Sequence, residues 1–135
     1  MKIVLDTNCL YNSLYKQSSF YSVWKSFLDG KYTLCVTTEI LEEYQEIIAK
    51  YTNADIAQTV INVIVNAKNT EFVNVYYRWN LIKDDPDDNK FSDCALACGA
   101  TYIVSNDRHF KSLKKIDFPK LILKNLKEFC SILQN

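Results

Sequence analysis

Asp6, Glu42, Glu43, Asp88 and Asp107 are the residues of this chain best placed, by type and spacing, to do chemistry. Asp6 ends the apolar run of Ile3, Val4 and Leu5. An ionised group at the tip of a buried strand is costly unless it is paired or binds a metal. No basic residue adjoins it in the sequence. Taken singly, each acid has an ordinary reading as a helix cap, a turn residue or part of a solvated helix face. Gathered together they would repel, and some would stay protonated at neutral pH without a counter-charge. Hard divalent cations such as Mg²⁺ or Mn²⁺ supply that charge, because they prefer oxygen ligands. An acid cluster around such an ion suits phosphoryl chemistry.

Gathering these acids depends on the elements that carry them. "KIVLD" reads as a strand, followed by a helix over about 18–28 that Gly30 stops. "YTLCV" is a second strand, and Thr37 or Thr38 can cap the helix that carries Ile40, Leu41, Tyr44, Ile47 and Ile48. Asn53 opens another helix, and "EFVNVYY" (71–77) reads as a strand. The acidic loop "KDDPDDN" leads into a helix closed by Gly99, for which Asp88 makes a good cap. "TYIVS" (101–105) and "LIL" (121–123) are further strands, and Asn125 with Glu128 forms the N-cap pair of a last helix.

Alternating strands and helices predict one α/β domain over residues 1–135, with a mostly parallel central sheet and helices on both faces. In such sheets, ligands bind beyond the carboxyl ends of the strands. Asp6, the start of the helix bearing Glu42 and Glu43, Asp88 and Asp107 all fall at that edge. At ~100° per residue, Glu43 borders the buried face set by Ile40, Tyr44, Ile47 and Ile48, whereas Glu42 points nearly opposite. Glu43 is therefore the glutamate that can reach the site.

Composition removes other classes. Formal net charge is zero, with sixteen basic and sixteen acidic residues, which argues against a simple charge-driven nucleic-acid binder. The distribution is uneven: from Asn106 onward one Arg and six Lys face three acids, a net of +4, so the rest of the chain carries −4. This is either a solvated face or a phosphate-contacting edge beside an acidic centre. Five cysteines without a CxxC pair read as buried reduced thiols, and with His109 the single histidine a Cys/His zinc site is disfavoured. No Gly-rich phosphate loop or GxSxG is present. A phosphatase would need a second Asp two positions after Asp6, where Asn8 stands. No apolar run approaches the ~18 residues of a membrane span, and Asp6 interrupts any secretory apolar region, so a cytoplasmic protein is expected.

"VLDTN", "ILEEYQEII" and "DPDDNKFSDCALACGATYIVSNDRHF" resemble, in order and spacing, the PIN-domain proteins, and most nearly their branch of toxin components of toxin–antitoxin systems. The resemblance runs from Lys2 to about Phe110. It implies a small three-layer α/β fold and a Mg²⁺- or Mn²⁺-dependent endoribonuclease site built from an acidic quartet. On this chain the quartet maps to Asp6, Glu43, Asp88 and Asp107. Asn8 and Ser105 match small polar positions that support the site, and Asp93 stands where the branch tends to carry an acid. Homodimerisation, an RNA substrate and inhibition by a small antitoxin are implied as well. The competing reading is a nucleic-acid- or protein-binding module that keeps the fold and does not cut.

Overall fold

The computed structural model describes residues 1–134. Five strands, β1 (Lys2–Leu5), β2 (Thr33–Val36), β3 (Thr70–Phe72), β4 (Tyr102–Val104) and β5 (Leu123–Lys124), form one sheet in the order β3-β2-β1-β4-β5. Every pairing is parallel. Successive strand residues point to opposite faces, yet Ile3, Val4 and Leu5 are all at most 1% exposed, so both faces of the central strand are covered. This is the α/β architecture expected from the alternation of elements. No helix among the described residues is long and apolar enough to cross a membrane.

Six α-helices among the described residues surround the sheet: α1 (Thr7–Ser13), α2 (Tyr21–Leu28), α3 (Thr38–Tyr51), α4 (Ala54–Asn66), α5 (Asn89–Cys98) and α6 (Leu126–Leu133). Local chemistry sets their ends. Thr37 Oγ1 accepts from Ile40 N at 3.1 Å, Asn53 Oδ1 accepts from Ile56 N at 2.8 Å, and Asn125 and Glu128 form a reciprocal capping box. Gly99 ends α5 at φ 67°, the left-handed conformation that a side chain would resist. α5 packs across β1, β2 and β4, α3 packs on α4, and α2 on α6.

The structure corrects several expectations. α1 was not expected: its seven residues open on polar Thr7 and Asn8, and it is held by burying Cys9, Leu10 and Ser13 rather than by propensity. The strand expected over 71–77 pairs only through Phe72, and Tyr76 and Tyr77 beyond it are exposed. Arg108–Lys115 is a 3₁₀ helix, in which Phe110 and Leu113, three apart, share the inner face. The last strand falls at 123–124, two residues later than expected.

Candidate active site

Strand order reverses around β1, so the carboxyl end of β1, beside β4, is the switch point where a crevice forms. Leu5 pairs with Val104, which sets Asp6 next to Ser105. Ser105 Oγ donates to Asp6 Oδ2 at 2.8 Å and accepts from Asp107 N at 3.0 Å, so one hydroxyl positions both acids. Asp107 Oδ1 in turn caps the 3₁₀ helix by accepting from His109 N at 2.9 Å.

Glu43 reaches the site from α3, while Glu42 is exposed, as the helical-face argument requires. Two groups fix Glu43. Thr7 Oγ1 donates to its Oε2, and Lys90 Nζ lies 2.8 Å from its Oε1 and 3.0 Å from Asp87. Burial pulls the Lys90 pKa down, but the hydrogen bonds to Glu43 and Asp87 outweigh it and the net shift is upward. Lys90 is thus a charged ammonium inside an acidic site.

Asp88 does not cap α5. Asp85 caps the short 3₁₀ turn Pro86–Asp88 ahead of it, accepting from Asp87 N at 3.2 Å, and Asp88 makes no side-chain cap bond. Its Oδ2 is buried without a hydrogen-bond partner, as is His109 Nδ1. His109 Nδ1 stands 3.3 Å from Asp107, 3.7 Å from Asp85 and 3.9 Å from Asp88. One ligand atom from each of Asp85, Asp88, Asp107 and His109 lies within 4.8 Å of the others.

The electrostatics match this crowding. Burial, opposed by the Ser105 hydrogen bond and augmented by the charges of Glu43 and Asp107, raises the Asp6 pKa to about 6. Burial, with the charges of Asp85, Asp6, Asp107 and Glu43, raises that of Asp88 to about 7. All four acids mapped from the sequence therefore feel one another's charge, while Asp88 and Asp107 alone among them share the close group with Asp85 and His109. Orphaned carboxylate oxygen amid like charges is the donor set that a hard divalent cation fits.

Two cavities flank the cluster and share Asn106 and Asp107. The first, about 310 Å³, is lined by Asp6, Asn8 and Asn12 as well. The second, about 340 Å³, is lined by Lys111, Lys114 and Lys127. Asn8 is exposed at the mouth of the first.

Asp93 lies elsewhere. At ~100° per residue a helix that buries Phe91, Ala95 and Cys98 would turn Asp93 nearly opposite that face, yet Asp93 is itself 4% exposed and accepts from Trp79 N at 3.0 Å. Its carboxylate shares a separate pocket with Glu39, Arg78 and Lys90. Asn89 clips the same segment further on, accepting from Ile82 N at 2.8 Å and donating to Ile82 O at 3.0 Å. α5 thus pins the chain just before the acidic loop at two points.

Thr7, Asp85, Lys90 and His109 join the site without having been singled out as site residues. The one available signal was adjacency: Lys90 and His109 each sit two residues from a mapped acid.

The profile of the PIN-domain family matches residues 2–109. No curated protein matches the chain in sequence. Among solved structures, a chain of VapBC2 from Rickettsia felis, bound to a DNA fragment from their promoter, superposes with a TM-score of 0.63 at 22% identity, over 93% of this chain and 98% of that one. A chain of FitAB bound to an IR36 DNA fragment gives a TM-score of 0.56 at 13% identity, over 92% of this chain and 94% of that one. These likenesses are in fold.

Proposed function

The chain belongs to the PIN-domain family, and from that premise we propose that it is a single-domain, metal-dependent endoribonuclease over residues 1–135, the toxin of a toxin–antitoxin pair acting in the cytoplasm. The observation that carries the chemistry is the buried, unpartnered Asp88 Oδ2 set among Asp6, Asp107 and Glu43. Mg²⁺ or Mn²⁺ would be held by Asp6, Asp88 and Asp107, with Glu43 completing the acidic set. When bound, the ion would polarise the phosphodiester, lower the pKa of the attacking water and stabilise the leaving oxygen.

The chain's own groups do the positioning. Ser105 holds Asp6 by donation and Asp107 by acceptance. Lys90 and Thr7 aim Glu43. Asn8, at the cavity mouth, offers an amide to a phosphate or ribose oxygen. The choice of RNA, of a homodimer and of a small antitoxin rests on the family resemblance. Likeness to VapBC2 and FitAB, both seen in complexes on DNA, supports the toxin–antitoxin reading. Exposed Phe72, Tyr76 and Tyr77 supply apolar area for a partner.

Incubating purified protein with RNA tests the reaction. Cleavage is expected with Mn²⁺ or Mg²⁺ and none in excess chelator. Cutting that persists in chelator overturns the mechanism, and tight RNA binding without cutting under any metal returns the chain to the binding-module reading.

The lysine-lined cavity gives a second expectation. If Lys111, Lys114 and Lys127 contact phosphates, their triple replacement by Ala lowers RNA affinity. It also flattens the slope of log affinity against log salt by roughly 2, at ~0.7 per contact to a single strand. Lys115 lies outside this cavity, so Lys115→Ala serves as the control. An unchanged slope in the triple variant makes these lysines a solvated face.

A further inference from the structure

All five cysteines are reduced and buried, but three are not scattered. Cys35 of β2 pairs with Glu71 of β3, so their side chains stand side by side on one face of the sheet. α5 packs over β2 and brings Cys94 and Cys98, one turn apart, onto that face. Cys35 Sγ, Cys98 Sγ and a Glu71 oxygen all lie within 4.8 Å of one another. Lys2 Nζ closes the rim, 2.9 Å from Glu71 Oε1 and 3.3 Å from the Cys98 carbonyl. Hydrogen bonds from Cys35 and Cys94, with the nearby Lys2 charge, draw the Cys98 pKa below that of an ordinary thiol. Cys98 otherwise donates only a long bond to Ala95 O, at 3.7 Å.

From this geometry we infer that Cys35, Cys98 and Glu71 form a second metal site, for a thiophilic, tetrahedral cation of the Zn²⁺ class, whose fourth position is left to Cys94, one turn back on α5, or to solvent at the Glu71 rim. Thiolate sulfur selects such an ion over Mg²⁺ or Mn²⁺. A tetrahedral ion with bonds of ~2.3 Å to sulfur sets its ligand atoms roughly 3.8 Å apart, inside the spacing observed for Cys35, Cys98 and Glu71. Binding releases the thiol protons to solvent, one for each thiolate formed. The Glu71 side chain is 35% exposed and provides the way in. The site lies at the carboxyl end of α5, ten residues and ~15 Å from Asp88 at the other end. Its role is structural: it ties β2 and β3 to the helix that carries Lys90 and the two clips on the 79–82 segment. Sequence spacing could not show it, because Cys35 and Glu71 come from separate strands.

Co²⁺ serves as the probe, added to the full chain kept reduced by a phosphine. The expected result is a sulfur-to-cobalt charge-transfer band with tetrahedral d–d bands, bleached by Zn²⁺ and untouched by excess Mg²⁺. Cys98→Ser is expected to lower cobalt affinity by about a hundredfold or more, and Glu71→Gln by about tenfold. Cys130→Ser and Asp107→Asn leave the band unchanged. Absence of the charge-transfer band in the reduced parent overturns the site and leaves a cluster of core thiols. So does an unchanged band in Cys98→Ser. If Cys98→Ser does not fold, Glu71→Gln at the rim decides: cobalt affinity equal to the parent overturns the site.

Discussion

Asp6→Asn is expected to abolish metal-dependent cleavage, by about a thousandfold or more, while leaving the metal-free protein at least as stable as the parent. Losing one charged ligand removes several kcal/mol of transition-state stabilisation, and each ~1.4 kcal/mol is tenfold in rate. Stability moves the other way because Asp6 is an ionisable group that the fold holds at a cost. Its pKa stands at about 6 against the ordinary 3.8. That shift corresponds to a penalty on the order of 3 kcal/mol for the ionised form at neutral pH. A folded-state pKa raised above the unfolded value means stability that is full below about pH 4 and is lost as pH climbs through the folded pKa. Asp88, raised to about 7, adds to the loss in the same direction. The metal-free parent should therefore melt lower at about pH 8 than at about pH 5, and divalent cation should restore stability most at the higher pH. Asn can still accept from Ser105 and offers its amide to the surrounding carboxylates. Asp6→Asn should accordingly melt higher than the parent at about pH 8, by roughly half that margin at about pH 5, with the difference closing below about pH 4. Thermal melts in chelator at both pH values check this. A large loss of stability at both would make Asp6 a structural residue.

The parts of this site that could be read in advance are those governed by one strand or one helix. Asp6 and Asp107 follow from strand ends, and Glu43 from the angle between it and the apolar stripe of α3. Asp88 was placed correctly at the head of α5 but for an incorrect reason: Asp85, in its own short 3₁₀ turn, takes the capping bond and frees Asp88 to face the other acids. Lys90 was invisible as a counter-charge because its bond to Glu43 depends on how α3 and α5 pack. His109 reaches Asp85 and Asp88 only because residues 108–115 turn as a 3₁₀ helix rather than leaving the edge as a loop. α1 was missed because two asparagines and a serine dilute its pattern, and burial against α2 and α3 stabilises it instead.

Asp88→Asn and Asp93→Asn separate the proposed metal ligand from a residue that positions the chain, and the two should differ by orders of magnitude. Asp88 places an unpartnered, buried oxygen among Asp6, Asp107, Asp85 and Glu43. No hydrogen bond depends on that oxygen, so replacing it with an amide leaves the fold intact and removes a negative charge from the cluster. Cleavage and Mn²⁺ affinity should both fall, the rate by about a thousandfold. Asp93 accepts from Trp79 N in a pocket with Arg78 and Glu39. Asn at that position keeps an acceptor for the same N–H. Its effect should stay within about tenfold on rate, since only a charge-assisted bond weakens. Asp93→Ala, in contrast, leaves the half-buried Trp79 N without its protein acceptor, at a cost of about 1 kcal/mol in stability. It also loosens one of the two clips that hold the approach to Asp85 and Asp88. Activity of Asp93→Ala should then fall through metal affinity and recover at high Mn²⁺, whereas that of Asp88→Asn should not. The reverse order, with Asp93→Asn inactive at saturating Mn²⁺ and Asp88→Asn active, would transfer the third ligand to Asp93. α5 would then have to turn Asp93 away from Trp79 when the ion binds.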